Sequence, residues 1–146
     1  MRATGSTRMA MRWLCSSAAA LAAAACVTHT TTYYKPPEGE PRLNQDEFRE
    51  ESDQLLRVEC PRLLKGASVA TGAASVRVQY DRSGAVQQAQ IIRSSGDPQM
   101  DTIWGALAAR LQFDPQEGQT EDLKPGILTV GYSCSPTYAA TTLKLP

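Results

Sequence analysis

Between Ser75 and Ser95 the chain reads as two strands joined by a tight turn, and this segment narrows the choice of folds more than any other. Val76, Val78 and Tyr80 alternate with Arg77 and Gln79, the pattern of a strand with one buried face. Asp81, Arg82, Ser83 and Gly84 supply the turn, with Gly84 suited to a positive φ. The second strand, Ala85–Ser95, loses its alternation at Gln87 and Gln88, where a bulge is expected. Two strands so joined form an antiparallel hairpin, which needs a further layer over its apolar face.

The flanking segments provide that layer. After Gly96, Asp97 can cap a helix whose first residue is Pro98. Met100, Ile103, Trp104, Leu107, Ala108 and Leu111 follow at helical spacing, a stripe suited to packing on a sheet. Phe113, Asp114 and Pro115 end it. Upstream, Gln45–Leu64 reads as another helix, with Asn44 as cap and Asp46 and Glu47 in the first turn. Phe48, Leu55 and Leu56 fall on one face, and Pro61 is expected to end or kink the helix near Glu59. Gly66–Gly72 reads as a loop. Gly126–Cys134 alternates as a third strand, with Leu128, Val130, Tyr132 and Cys134 on one face and Ile127, Thr129 and Ser133 on the other. The expected fold is therefore α+β: a three-stranded antiparallel sheet packed by two helices, in the order α-β-β-α-β.

The chain's 146 residues carry 15 Lys and Arg against 15 Asp and Glu. That neutral balance argues against a nucleic-acid role, and it averages unlike parts. Residues 1–25 hold Arg2, Arg8 and Arg12, no acid, and an apolar run that ends in alanines before Cys26. A basic head, a short apolar stretch and a small-residue exit describe a secretory signal peptide. Cys26 then becomes a lipidated first residue, or else cleavage after an alanine leaves it as an odd thiol. The lipid reading is preferred, with the outer membrane favoured because Val27 follows the cysteine. Residues 26–44, rich in Pro and Thr, read as a tether that contains His29, and residues 136–146 as a flexible tail, leaving 45–135 for the domain. Without the leader the net charge is −3, since three of the 15 basic residues go with it.

Cys60 and Cys134 remain within the domain, and in an exported chain they suggest a disulfide. Two buried thiols or a two-cysteine metal site are the alternatives. No cofactor, metal ligand set or catalytic constellation is apparent, so an enzyme is not expected. Ser94 and Ser95 lack the glycine spacing of a nucleophile elbow, and Asp81, Asp97 and Asp101 suit turn and capping roles.

One family is similar. Val76–Asp81, Gly84, Ile91–Gly96 with its Ser94-Ser95-Gly96 close, Met100-Asp101 and Phe113-Asp114-Pro115 together resemble the C-terminal domain of TonB proteins. The resemblance covers about residues 58–134. The chain departs from that pattern at Cys60-Pro61, where the family often has Tyr-Pro, and at Trp104, where a small alanine is common. The resemblance implies a non-enzymatic periplasmic binding module. Its third strand would lie at a sheet edge and pair with an extended segment of an envelope protein such as a TonB-dependent receptor. Ile127, Thr129, Gly131 and Ser133 would then form the partner-binding edge. Such domains can also dimerise by strand exchange. An 18-residue tether spans at most ~63 Å, far less than the stalk of a force-transmitting TonB. A structural, envelope-assembly lipoprotein with no role in transport is the alternative.

Overall fold

A computed structural model describes residues 31–115 and 117–146. The elements run β1 (Tyr33–Tyr34), α1 (Gln45–Leu64), β2 (Ala70–Asp81), β3 (Val86–Arg93), α2 (Pro98–Ala109), β4 (Leu123–Ser135) and β5 (Tyr138–Lys144). The strands form one antiparallel sheet in the order β1-β3-β2-β4-β5. Both helices pack on one face of it. The class is α+β, as expected, but the sheet has five strands rather than three.

The two extra strands come from segments expected to be loose. Tyr33 and Tyr34 pair with Gln90 and Ala89 at one side of the sheet. Tyr34 is held there by Gly105 of α2: a Cβ at Gly105 would lie 2.4 Å from the tyrosine ring, so only glycine lets the two meet. Further along the same segment, Leu43 is buried and bridges to Leu111, and Arg42 donates to the carbonyl of Val86. The stretch therefore docks as extended chain, satisfying its backbone on the domain instead of in solvent. At the other end, residues 138–144 fold back on β4, with Ser135 opposite Tyr138 and Thr129 opposite Lys144. The tail is a strand because Thr141 buries its side chain under α1 and Leu143 packs against the core.

The central hairpin forms as its pattern implies. Gly84 takes φ 86°, and Phe113 O would lie 2.1 Å from any Cβ placed there. Asp81 orders the turn by accepting from Ser83 N, Ser83 Oγ, Ala85 N and Gln87 Nε2. These bonds, led by the one from the Ser83 hydroxyl, hold its carboxyl below the usual range. The register steps from Gln79 opposite Gln88 to Tyr80 opposite Val86, which leaves Gln87 as the bulged residue. A second shift beside Ser75 leaves Ile92 unpaired with β2. β2 begins earlier than expected, at Ala70, because the long β4 offers it partners as far as Cys134.

In α1 the capping box is complete: Asn44 accepts from Asp46 N and Glu47 N, and Glu47 returns a bond to Asn44 N. Pro61 does not end the helix, which runs on to Leu64 and stops at Lys65 and Gly66, both at positive φ. Its ring faces solvent, while Cys60 and Leu64 on either side are pinned in the core, and this anchoring outweighs one lost helical bond. The buried stripe is Phe48, Ser52, Leu56, Cys60 and Leu64. Leu55 falls off it and is 36% exposed.

Trp104 is the centre of the core, fully buried among Phe48, Leu56, Met100, Val76, Val78, Leu128 and Val130. Its indole N–H donates to Ser52 Oγ at 3.0 Å, and Ser52 meets Thr141 Oγ1 at 3.1 Å. This buried chain of polar groups joins α2, α1 and β5, so each hydroxyl is satisfied where water cannot reach. Cys60 and Cys134 are joined in a disulfide with their Cα atoms 5.6 Å apart, linking α1 to β4.

Candidate interaction surface

The residues expected to form a partner-binding edge lie in β4, and β4 is not an edge. It pairs with β2 from Leu123 to Cys134 and with β5 from Thr129 to Ser135. Thr129, Gly131 and Ser133 face Lys144, Thr142 and Ala140 across the β4–β5 ladder, so their backbone is already engaged. Ile127 lies beyond the reach of β5 but pairs with Arg77 on the other side. The physical cause is the tail: seven residues with strand-forming Tyr, Thr and Leu fill the position a partner would take. Cys26 and His29 lie outside the described residues.

The edge of the sheet beside β4 is instead β5, with β1 at the opposite edge. Thr141 N–H donates to Asp53 Oδ1 at 2.7 Å, so α1 covers the middle of that edge with a carboxylate. Towards Tyr138 the edge borders a groove of about 280 Å³ lined by Arg57, Cys60, Pro61, Leu64, Tyr138 and Ala139. Tyr138 is 60% exposed. No signal in the tail's composition marks this edge in advance, because Tyr138–Lys144 shows only a weak alternation.

Among the described residues, the face of the sheet opposite the helices is bare. Ile127 and Thr129 do project there, with Ile127 50% exposed. In the row that contains Thr129, the residues Arg93, Ser75, Thr129 and Lys144 stand side by side on β3, β2, β4 and β5. Arg77 lies two residues from Ser75 between Gln90 and Ile127.

The carboxylates considered for chemistry have structural duties. Asp97 caps α2 by accepting from Met100 N at 2.9 Å, and takes a two-pronged bond from Arg62 at 2.6 and 2.8 Å. The Arg62 guanidinium holds the Asp97 carboxyl down to about 2, and is itself pushed up by Asp97 and Glu59. Asp101 accepts from Ser94 Oγ, Ser95 N and Ser95 Oγ, which fastens the end of β3 to the first turn of α2. Tyr132, half-buried against Trp104, is raised mainly by burial. Among the described residues, no group of three or more His, Cys, Asp or Glu is placed to hold a metal, and no helix is long and apolar enough to cross a membrane. No family model, curated protein or solved structure matches the chain.

Proposed function

We propose that this chain is a non-enzymatic, TonB-like binding module of the cell envelope, held in the periplasm by a lipid on Cys26, with the outer membrane as its anchor. It takes an extended segment of an envelope protein, such as an outer-membrane transporter, along the outer edge of β5. The order α1-β2-β3-α2-β4 agrees with the TonB-like order read from the sequence and supports the family reading. The observation that carries the binding mode is the outer side of β5 at Tyr138–Ala140, which has no further strand and opens onto the groove beside Pro61. Backbone pairing there gives affinity, and the groove receives one side chain of the incoming segment.

The test is crosslinking in the native envelope from a photoreactive residue at Tyr138, with Ile92 on the opposite side of the sheet as control. An adduct with another envelope protein from Tyr138 and none from Ile92 is expected. Absence of any adduct from Tyr138, in a protein that fractionates with membranes, would overturn the edge reading. One observation favours the second reading, a structural lipoprotein without transport partners: Asp53 blocks the centre of the same edge. In that case Cys26→Ala releases the protein and produces the envelope defect although Tyr138 crosslinks to nothing.

A further inference from the structure

The charges of this domain are distributed unevenly between its two sides. Helix α1 carries Asp46, Glu47, Glu50, Glu51, Asp53 and Glu59 against Arg49, Arg57 and Arg62. The bare face of the sheet carries Arg77, Arg93 and Lys144. Its only strand carboxylate is Asp81, at the far end and already bonded to the turn. Among the described residues, none of the three cations has a carboxylate partner, unlike Arg62, Arg82 and Arg110. The register fixes their layout. Arg93 and Lys144 end one cross-strand row, about 14 Å apart at the usual inter-strand spacing, and Arg77 stands one row below. Ile127, Ile92 and Tyr33 expose apolar or amphipathic side chains around them. Cationic groups without partners, bordered by Ile and Tyr, suit the headgroup level of an anionic bilayer.

The covalent chain points the same way. The supposed 18-residue tether is largely docked, because Tyr33 is already in the sheet. Cys26 is seven positions before Tyr33, and seven residues reach at most ~25 Å. Tyr33 pairs with Gln90, which pairs with Arg77, so the tyrosine stands on the bare face and is 55% exposed. A lipid on Cys26 is thus leashed to the border of the basic face, and turns the acidic helix α1 away from the membrane.

We propose that the bare face of the sheet is a membrane-docking surface, which lies flat on anionic lipid while the lipid on Cys26 holds the domain in place. This rests on the lipid anchor of the proposed function. The lipid anchors the domain and the basic face sets its orientation on the bilayer. The β5 edge and groove then remain free at the side of the domain for a protein partner.

The experiment uses the full lipidated protein in vesicles of phosphatidylethanolamine and phosphatidylglycerol doped with brominated lipid. Ile127→Trp reports on the bare face and Val58→Trp on exposed α1, with buried Trp104 as a constant background. Bromolipid should quench the first and spare the second. Quenching should be lost in the triple variant Arg77→Gln, Arg93→Gln, Lys144→Gln, and in about 1 M salt, where screening acts within ~3 Å. The protein should stay on the vesicles in both cases. Covalent labelling of Tyr33 in the unaltered protein provides a readout that needs no substitution, and Tyr33 should be protected on anionic vesicles relative to detergent. Equal quenching at both positions, or unchanged tyrosine labelling on vesicles, overturns the proposal while leaving the anchor standing. A mature protein whose mass lacks the lipid, and which does not float with vesicles, overturns the anchor and the proposal with it. Tyrosine protection that arises only on adding an acidic envelope protein assigns the face to that partner and overturns the membrane reading.

Discussion

At the scale of single residues, Asp97 does the work of two. Its carboxylate caps α2 and binds Arg62 of α1, so one side chain ties the start of α2 to the end of α1. Because its folded-state pKa lies at about 2, below the ordinary carboxylate value of ~3.9, it stabilises the fold above the ordinary value. That contribution is lost as pH falls through the folded value. Asn at this position keeps the cap and removes the charge. Urea unfolding of the wild type should therefore show stability falling from about pH 4 towards pH 2, with a shallower fall in Asp97→Asn. Asp97→Ala should also lose the cap, a further ~1 kcal/mol at neutral pH. Parallel acid profiles for wild type and Asp97→Asn would show that the Arg62 pair contributes nothing. The residue roles legible in advance were local ones: Asp97 as cap, Asp81 and Gly84 as turn, Asn44 as cap. The Arg62–Asp97 bond was not legible, because 35 residues separate its partners.

At the scale of elements, α2 and the hairpin could be read directly, since each has its own period over several turns or residues. The strand β4 could be read too, but not its neighbours. Whether a strand is an edge depends on what else reaches it, and β5 carries too little alternation to announce itself. The same holds for β1, whose two residues become a strand only because Gly105 admits Tyr34. The misplaced candidate site follows from this one gap. It also gives β5 a measurable role. Ending the chain after Ser135 would strip β4 of its partner over Thr129–Ser135 and remove Thr141 from Ser52. The freed edge of β4 would be a long, unpaired template, the kind that natural sheets cover. The truncated protein should elute as concentration-dependent oligomers in size-exclusion chromatography with light scattering, where the full chain elutes at one mass. A monomeric truncated form with unchanged stability would show that β5 is dispensable to the sheet.

At the scale of the molecule, the disulfide decides how far a small core suffices. Between Cys60 and Cys134 lie β2, β3, α2 and most of β4, a closed loop with a separation of 74 residues. Closing a loop of that length removes about 4 kcal/mol of entropy from the unfolded chain, in a domain class whose net stability is commonly ~5–15 kcal/mol. The effect acts on the unfolded state and so is shared by every amide that exchanges only through global unfolding. It does not touch amides that exchange by local fraying. The double variant Cys60→Ser, Cys134→Ser should therefore lose roughly 15–20 °C in Tm while still unfolding in a single transition. Its hydrogen exchange should quicken by a common factor across the buried amides of β2, β3 and α2. The amides of Tyr33 and Tyr34 in the two-residue β1, which open locally, should barely change. Were the losses confined to the neighbourhood of Cys60 and Cys134, the bond would be acting as a local clamp between α1 and β4, and the loop-closure account would fail.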